Sequence, residues 1–233
     1  MRLKRWDQLP EHMKNKKIKP YYEMLERRRG DLILKRGIDL IMALVLTVIL
    51  SPVMLILAVC IKIDSRGPVF FRQKRITQYG KEYRIFKFRT MVADADKKGP
   101  AVTAAGDSRI TRMGNLLRKC RLDELPQLFN VISGDMSFVG TRPEVKKYVD
   151  AYTDEMWATL LLPAGITSRT SIAYKDEDEV IDRYLKETGG TVDEAYIRHV
   201  LPEKMKYNLE YLKKFSIFGD IKVMIDTVFA VIR

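Results

Sequence analysis

Asp123 and Glu124 are adjacent carboxylates, set between basic segments and followed by a helical apolar pattern. Read as a helix start, the position favours ionised side chains, because the first turn presents unpaired amides and the positive end of the helix dipole. An ionised, oriented Asp can act as a nucleophile toward phosphorus. A neighbouring Glu can supply one carboxylate to Mg²⁺ while substrate phosphates fill other positions. The structural alternative is an Asp cap followed by a first-turn Glu, and the residues alone leave both open. A second acidic pattern, Asp94-Ala95-Asp96, has the Asp-x-Asp form that some metal-dependent glycosyltransferases use, though so short a match arises easily by chance. The chain has no Walker A loop, G-x-S-x-G elbow, G-x-G-x-x-G fingerprint or H-E-x-x-H helix.

The elements around the acidic pair follow from periodicity. Ile110, Met113, Leu117 and Cys120 share a helical face, capped by Asp107 or Ser108. Leu125, Leu128, Phe129 and Ile132 form a second apolar stripe, with Asp123 as N-cap, Pro126 in the first turn and Gly134 as terminator. Pro143 opens a third helix that places Val145, Val149, Tyr152 and Met156 on one face. Residues 68–89 read as a basic β-hairpin turning at Tyr79-Gly80. Residues 93–108 read as a loop, and the run from Asp176 to Glu179 as a solvated helix start.

The longest apolar segment is Leu40 to Ile61, 22 residues without a charge. It reaches the ~20 residues needed to cross a hydrocarbon core. Residues 1–39 carry 12 Lys/Arg and 6 Asp/Glu, and residues 62–91 carry 9 and 2. Basic flanks favour the cytoplasmic side, and here both flanks are basic. Ser51-Pro52 stands at the centre of the run, where proline removes a helix hydrogen bond and the serine hydroxyl can satisfy the freed carbonyl. A helix-break-helix hairpin with both ends in the cytoplasm satisfies charges and break together. A kinked single crossing satisfies the length, and residue physics does not separate the two.

Composition bounds the rest. Of 233 residues, 46% are hydrophobic, which excludes a disordered or collagen-like chain. Two Cys and two His, none close together, exclude a disulfide framework and argue against a zinc cluster. The net charge of +12 predicts attraction to polyanions. Aromatics interleaved with Lys/Arg in the hairpin can mark nucleic-acid binding. Directly after a membrane segment, lipid headgroups or phosphates are the more economical partner, and nucleic acid is not expected. The first 34 residues read as a basic arm lying on anionic lipid or simply solvated. The C-terminal stretch places Ile217, Ile221, Met224, Ile225, Val228 and Ile232 on one side, suited to the membrane interface or to the soluble core.

The run LDELPQLFNVISGDMSFVGTRPE, residues 122–144, closely resembles the signature of the bacterial sugar transferases, monotopic polyprenol-phosphate phosphoglycosyl transferases. KRGIDLIMALVLTVILSPVMLILAVCIKI resembles the family's re-entrant helix, and FRQKRI, KFRTM, PAGIT and GDIKVMIDT follow in family order. The resemblance covers roughly residues 35–233. It implies transfer of a phosphosugar from a UDP-sugar to undecaprenyl phosphate with release of UMP, through a covalent aspartyl-phosphosugar intermediate. By that resemblance Asp123 is the nucleophile, Glu124 ligates Mg²⁺, and Arg142, Lys87 and Arg89 meet substrate phosphate. It also implies a bacterial inner-membrane location on the cytoplasmic face, and leaves a homo-oligomer open. The chain departs from the pattern at Thr141, where the family often has proline, and in PAGITSRTSIAYKDEDE, which differs from the commoner Pro-Gly-Ile-Thr-Gly version and leaves the donor sugar unassigned.

The expected architecture is α+β and mostly helical: a basic N-terminal arm (1–34), a re-entrant membrane helix (35–63) broken at Ser51-Pro52, and a cytoplasmic catalytic domain (64–233) with a small β-hairpin and interfacial amphipathic helices. Two other functions compete. A glycosyltransferase using Asp94 and Asp96 would release UDP rather than UMP. A membrane-tethered basic module would bind polyanions without turnover.

Overall fold

The computed structural model describes residues 1, 3–93, 95, 107–174 and 177–232. The described chain is mostly helical. Helices α1 (Lys19–Arg27) and α2 (Arg29–Asp64) precede a hairpin of β1 (Phe70–Ile76) and β2 (Glu82–Phe88). Then come α3 (Arg112–Lys119), α4 (Gln127–Ser133), β3 (Met136–Val139), α5 (Lys146–Val149), β4 (Ala164–Thr167), α6 (Arg169–Ala173), α7 (Glu177–Thr188), α8 (Val192–Ala195), α9 (Leu201–Lys213) and α10 (Ile217–Ile232).

The hairpin forms where the alternation places it. Phe71 pairs with Lys87 and Arg75 with Tyr83 across an antiparallel ladder. Tyr79 and Gly80 both take positive φ (61° and 77°) to close the turn. A second sheet was not legible: β3 and β4 pair in parallel, Ser137 opposite Gly165 and Val139 opposite Thr167. Two short runs, MSFV and AGIT, carry too few residues for an alternation signal. Their crossing requires glycine, because a Cβ on Gly165 would lie 2.2 Å from the Gly140 nitrogen. This contact fixes the start of the TRPE segment that bears Arg142.

Several helix boundaries differ from expectation. The α3 cap is Thr111, whose hydroxyl accepts from the Gly114 amide, rather than Asp107 or Ser108. α4 begins at Gln127, after Pro126, so Asp123 is not its N-cap. Instead Leu122–Glu124 form a separate 3-10 turn, entered through Arg121 in the left-handed region (φ 55°). The helix expected from Pro143 stops at Val149, and a 3-10 segment, Met156–Leu161, follows. Gly134 does end α4, at φ 87°.

The N-terminal arm is not a solvated tail. Leu3, Leu9, Met13, Ile18, Tyr21, Tyr22 and Leu25 are buried in the largest core cluster, with Leu160, Leu161, Leu212 and Phe215. Apolar residues spaced through a basic stretch carry the packing, while the Lys and Arg side chains reach out to water.

The backbone of α2 stays helical through Pro52, so the proline does not end the helix. Proline removes the amide that would bond the Val48 carbonyl, and the Ser51 hydroxyl donates to that same carbonyl at 2.8 Å. α2 is the one described helix long and apolar enough to cross a membrane, and its apolar window is only 17% buried. Its N-terminal limb is tied to the body by Arg36, which donates to the Val131 and Ile132 carbonyls at the end of α4 (2.6 and 3.1 Å). Asp39 on the same limb accepts from the Ser137 hydroxyl at 2.7 Å. Its C-terminal limb is tied to the same body: Asp64 accepts from the Met113 amide at 3.1 Å, and Met54, Leu57 and Ile61 pack with Phe88 and Leu117. The stretch between, including Val48, Ile49, Leu55 and Ile56, is exposed and apolar.

Candidate active site

The acidic pair sits where α3, α4 and strand β2 meet. Asp123 is buried and Glu124 nearly so, with 14% of its side chain exposed. Lys87, on β2, places its ammonium 2.7 Å from Glu124 Oε1. Arg142, delivered by the glycine crossing, places Nη2 3.7 Å from the same oxygen. Asn130 sets the register of these parts: its side chain accepts from the Phe86 amide (2.8 Å) and donates to the Arg84 carbonyl (3.0 Å), pinning β2 to α4.

The two carboxyls are pushed apart. Burial raises the Asp123 carboxyl above the ordinary aspartate range; Lys87 opposes that rise, Glu124 adds to it and Arg118 opposes it. Burial also works against the Glu124 charge, but Lys87 and Arg142 outweigh it and hold the group at about 2. Glu124 in turn raises the Arg142 guanidinium. The pair therefore combines a firmly ionised carboxylate with a desolvated one, an arrangement suited to two different roles.

A cleft of about 800 Å³ opens beside the pair. Leu46 and Leu50 of α2 form an apolar wall, and Lys119, Arg121, Glu124 and Arg142 a charged one. Asp123, buried beside Glu124, does not itself line the cleft. A smaller cavity of about 30 Å³, bounded by Arg75, Lys87, Glu124 and Arg142, adjoins it and has room for a water or a small ion. Both ion-pair contacts of Glu124 fall on Oε1. Among the described residues no group of three or more His, Cys, Asp or Glu could hold a metal ion. These residues offer no all-protein metal cage, so a divalent cation here would have to be held through one carboxylate, with phosphate oxygens and water completing its shell.

Of the residues singled out in the sequence, Lys87, Asp123, Glu124 and Arg142 come together. Arg89 is directed elsewhere: its guanidinium is buried and donates to the Ser65 carbonyl (2.7 Å) and hydroxyl (2.9 Å) at the end of α2. Asp94 and Asp96 lie outside the described residues. The sequence reading missed Arg118, Glu177 and Lys204. Lys204 had a signal: it falls on the buried face of α9 with Leu201, Met205, Asn208 and Leu212, where a lysine needs a partner.

The site sets an apolar wall, carried on a membrane-type helix, against a cationic pocket with an ionised carboxylate. The chain belongs to the bacterial sugar transferase family, whose sequence model matches residues 30–233. It is similar to UDP-N-acetylgalactosamine-undecaprenyl-phosphate N-acetylgalactosaminephosphotransferase of Aeromonas hydrophila, 34% identical over 199 residues, covering 84% of this chain and 43% of the relative. It is 32% identical over 201 residues to UDP-glucose:undecaprenyl-phosphate glucose-1-phosphate transferase of Escherichia coli K12, covering 84% and 40%. A protein of the same name from Caulobacter vibrioides is 34% identical over 197 residues, covering 83% and 68%. The chain therefore spans less than half the length of the first two relatives.

Proposed function

We propose that this protein is a phosphoglycosyl transferase that moves a sugar 1-phosphate from a UDP-sugar to undecaprenyl phosphate and releases UMP, the first membrane step in assembling a polysaccharide or glycoconjugate. The observation that carries the reading is the convergence of Lys87 and Arg142 on the Asp123-Glu124 pair, beside a cleft that Glu124, Arg142 and the apolar helix line. The names of the relatives supply the substrate classes.

In this reading the Asp123 carboxylate attacks the donor phosphorus that bears the sugar. A carboxyl–phosphorus bond forms, the bridge between the two phosphates breaks, and UMP leaves with the bridging oxygen. An oxygen of undecaprenyl phosphate then attacks the same phosphorus and returns the carboxylate. The acceptor is already an anion, so it needs little general-base help. Lys87 and Arg142 sit where negative charge accumulates, in a pocket of reduced dielectric where fixed cations act strongly. Burial of Asp123 keeps water from competing for the covalent adduct. Mg²⁺ held by Glu124 would neutralise phosphate charge.

We further propose that α2 enters one leaflet and returns, placing the protein on the cytoplasmic face of the bacterial inner membrane. A straight 36-residue helix is about 54 Å long. Ala43 and Leu57, about 21 Å apart along such a helix, belong to clusters containing Ile85 and Phe88 respectively, which lie about 10 Å apart on β2. Both limbs resting on one small body favours a bend near Pro52 over a straight crossing. The exposed Phe218, Ile225 and Phe229 of α10 suit the same interface.

The test is a panel of UDP-sugars incubated with undecaprenyl phosphate and Mg²⁺. UMP release that Asp123→Ala abolishes supports the reading. Release of UDP, or turnover retained by the variant, contradicts it and favours a different glycosyltransferase.

A further inference from the structure

Beyond the dyad, the cleft contains a second buried charge cluster that the proposed chemistry leaves unused. Lys204 reaches from α9 into the wall with only 7% of its side chain exposed. Its ammonium lies 3.1 Å from Glu177 Oε2, 3.4 Å from Glu144 Oε1 and 2.7 Å from the Tyr196 hydroxyl. The Tyr196 hydroxyl donates in turn to Glu144 Oε1 at 2.6 Å. Two hydrogen bonds, to Glu177 and Tyr196, and the ion pair with Glu144 hold the ammonium in place. Glu144 is sealed inside, but Glu177 keeps 30% of its side chain open, and both Glu177 and Lys204 line the cleft that holds Glu124 and Arg142.

Glu177 is thus a carboxylate held by one oxygen, with Oε1 turned to no described protein partner. It lines the same cleft as Arg142, and its charge helps to raise the Arg142 guanidinium. Asp123 and Glu124 already supply the carboxylates that the proposed phosphate chemistry needs, which leaves Glu177 for an uncharged part of the donor. A carboxylate is a strong acceptor for hydroxyl groups, and a fixed carboxylate matches neighbouring hydroxyls on a ring. Thr170 and Ser171, from the segment that departs from the family pattern, line the same end, and Thr170 is locked by its bond to Asn208 at 2.7 Å.

We propose that Glu177, oriented by Lys204, reads ring hydroxyls of the nucleotide-sugar donor and sets donor affinity. The proposal rests on the phosphoglycosyl transferase reading and adds to it the recognition of the uncharged part of the donor. Two rings carry such hydroxyls, the transferred sugar and the ribose, and one experiment separates them.

Glu177→Gln and Glu177→Asp are compared with the unaltered full chain, in detergent, by UMP release and by inhibition with UMP, after thermal unfolding confirms that each is folded. Loss of a charge-assisted hydrogen bond predicts a rise of about 10-fold or more in the donor KM for Glu177→Gln. The expected kcat change is less than about 2-fold, with the KM for undecaprenyl phosphate unmoved. Glu177→Asp keeps the charge beside Lys204 but shortens the reach, and is expected to fall between. If the UMP inhibition constant stays fixed, the hydroxyls belong to the sugar; if it rises with KM, they belong to the ribose. An unchanged donor KM in Glu177→Gln overturns the proposal, as does a fall in kcat alone. Absence of UMP release by the unaltered protein with every UDP-sugar is a separate failure, that of the reaction assignment.

Discussion

Lys87 Nζ rests 2.7 Å from Glu124 Oε1, bridging strand β2 to the 3-10 turn that carries the acidic pair. The same ammonium draws down the carboxyl groups of both Glu124 and Asp123. A single lysine therefore favours the ionised form of Glu124 and limits the cost of ionising its buried neighbour.

Lys87→Met should raise both carboxyl groups. Asp123, already raised by burial, would then be protonated to a higher pH, and a protonated Asp is no nucleophile. The acid limb of the pH–kcat profile is expected to move toward higher pH, with kcat at pH 7 lower by about 10- to 100-fold. A profile that keeps its acid limb in place would show that Lys87 acts on substrate alone.

Asp123→Asn separates stability from activity. The folded-state pKa of Asp123 lies above its unfolded value, so the neutral form is the better tolerated one and stability from this group is lost as pH rises through the folded pKa. At neutral pH the uncharged side chain should raise Tm by about 2 °C or more while abolishing turnover. A lowered Tm would mean that the buried charge is well compensated.

The topology of α2 is open to cysteine labelling. Lys16→Cys and Arg66→Cys, each in a Cys60→Ser, Cys120→Ser background, lie at exposed positions on either flank of the apolar segment. For a re-entrant helix neither reacts with a membrane-impermeant maleimide in intact cells, and both react after permeabilisation. Reaction of one flank in intact cells would establish a single crossing.

The N-terminal arm contributes to stability. Leu25 is fully buried, and Leu25→Ala should cost about 2–5 kcal/mol by denaturant unfolding, against under ~0.5 kcal/mol for a solvated tail.

The legible parts of the fold share a strong local signal. The hairpin announced itself through alternation and Tyr79-Gly80, and the membrane-type helix through 22 uncharged residues. What was illegible depends on tertiary contact. The β3–β4 pair is four residues on each side and is held by a glycine crossing. The arm read as lipid-lying or solvated because its lysines and arginines dominate its composition, although its apolar residues decide its placement. Within the site, the Asp123-Glu124 pair was visible as chemistry, but its 3-10 turn was mistaken for a helix cap because Pro126 fits either. Arg89 resembled a phosphate ligand by motif, yet the end of α2 takes its guanidinium.

The central claim is a covalent bond between Asp123 and the donor's sugar-bearing phosphate. The most direct measurement mixes enzyme with a labelled UDP-sugar and Mg²⁺ in the absence of undecaprenyl phosphate, quenches in acid and combines UMP quantification with peptide mass spectrometry. The account predicts about one UMP per enzyme, formed in a burst, and a phosphosugar mass on the peptide containing Asp123 that disappears when acceptor is added. An enzyme that releases UMP only after the lipid is supplied, and never carries the added mass during rapid turnover, would contradict it.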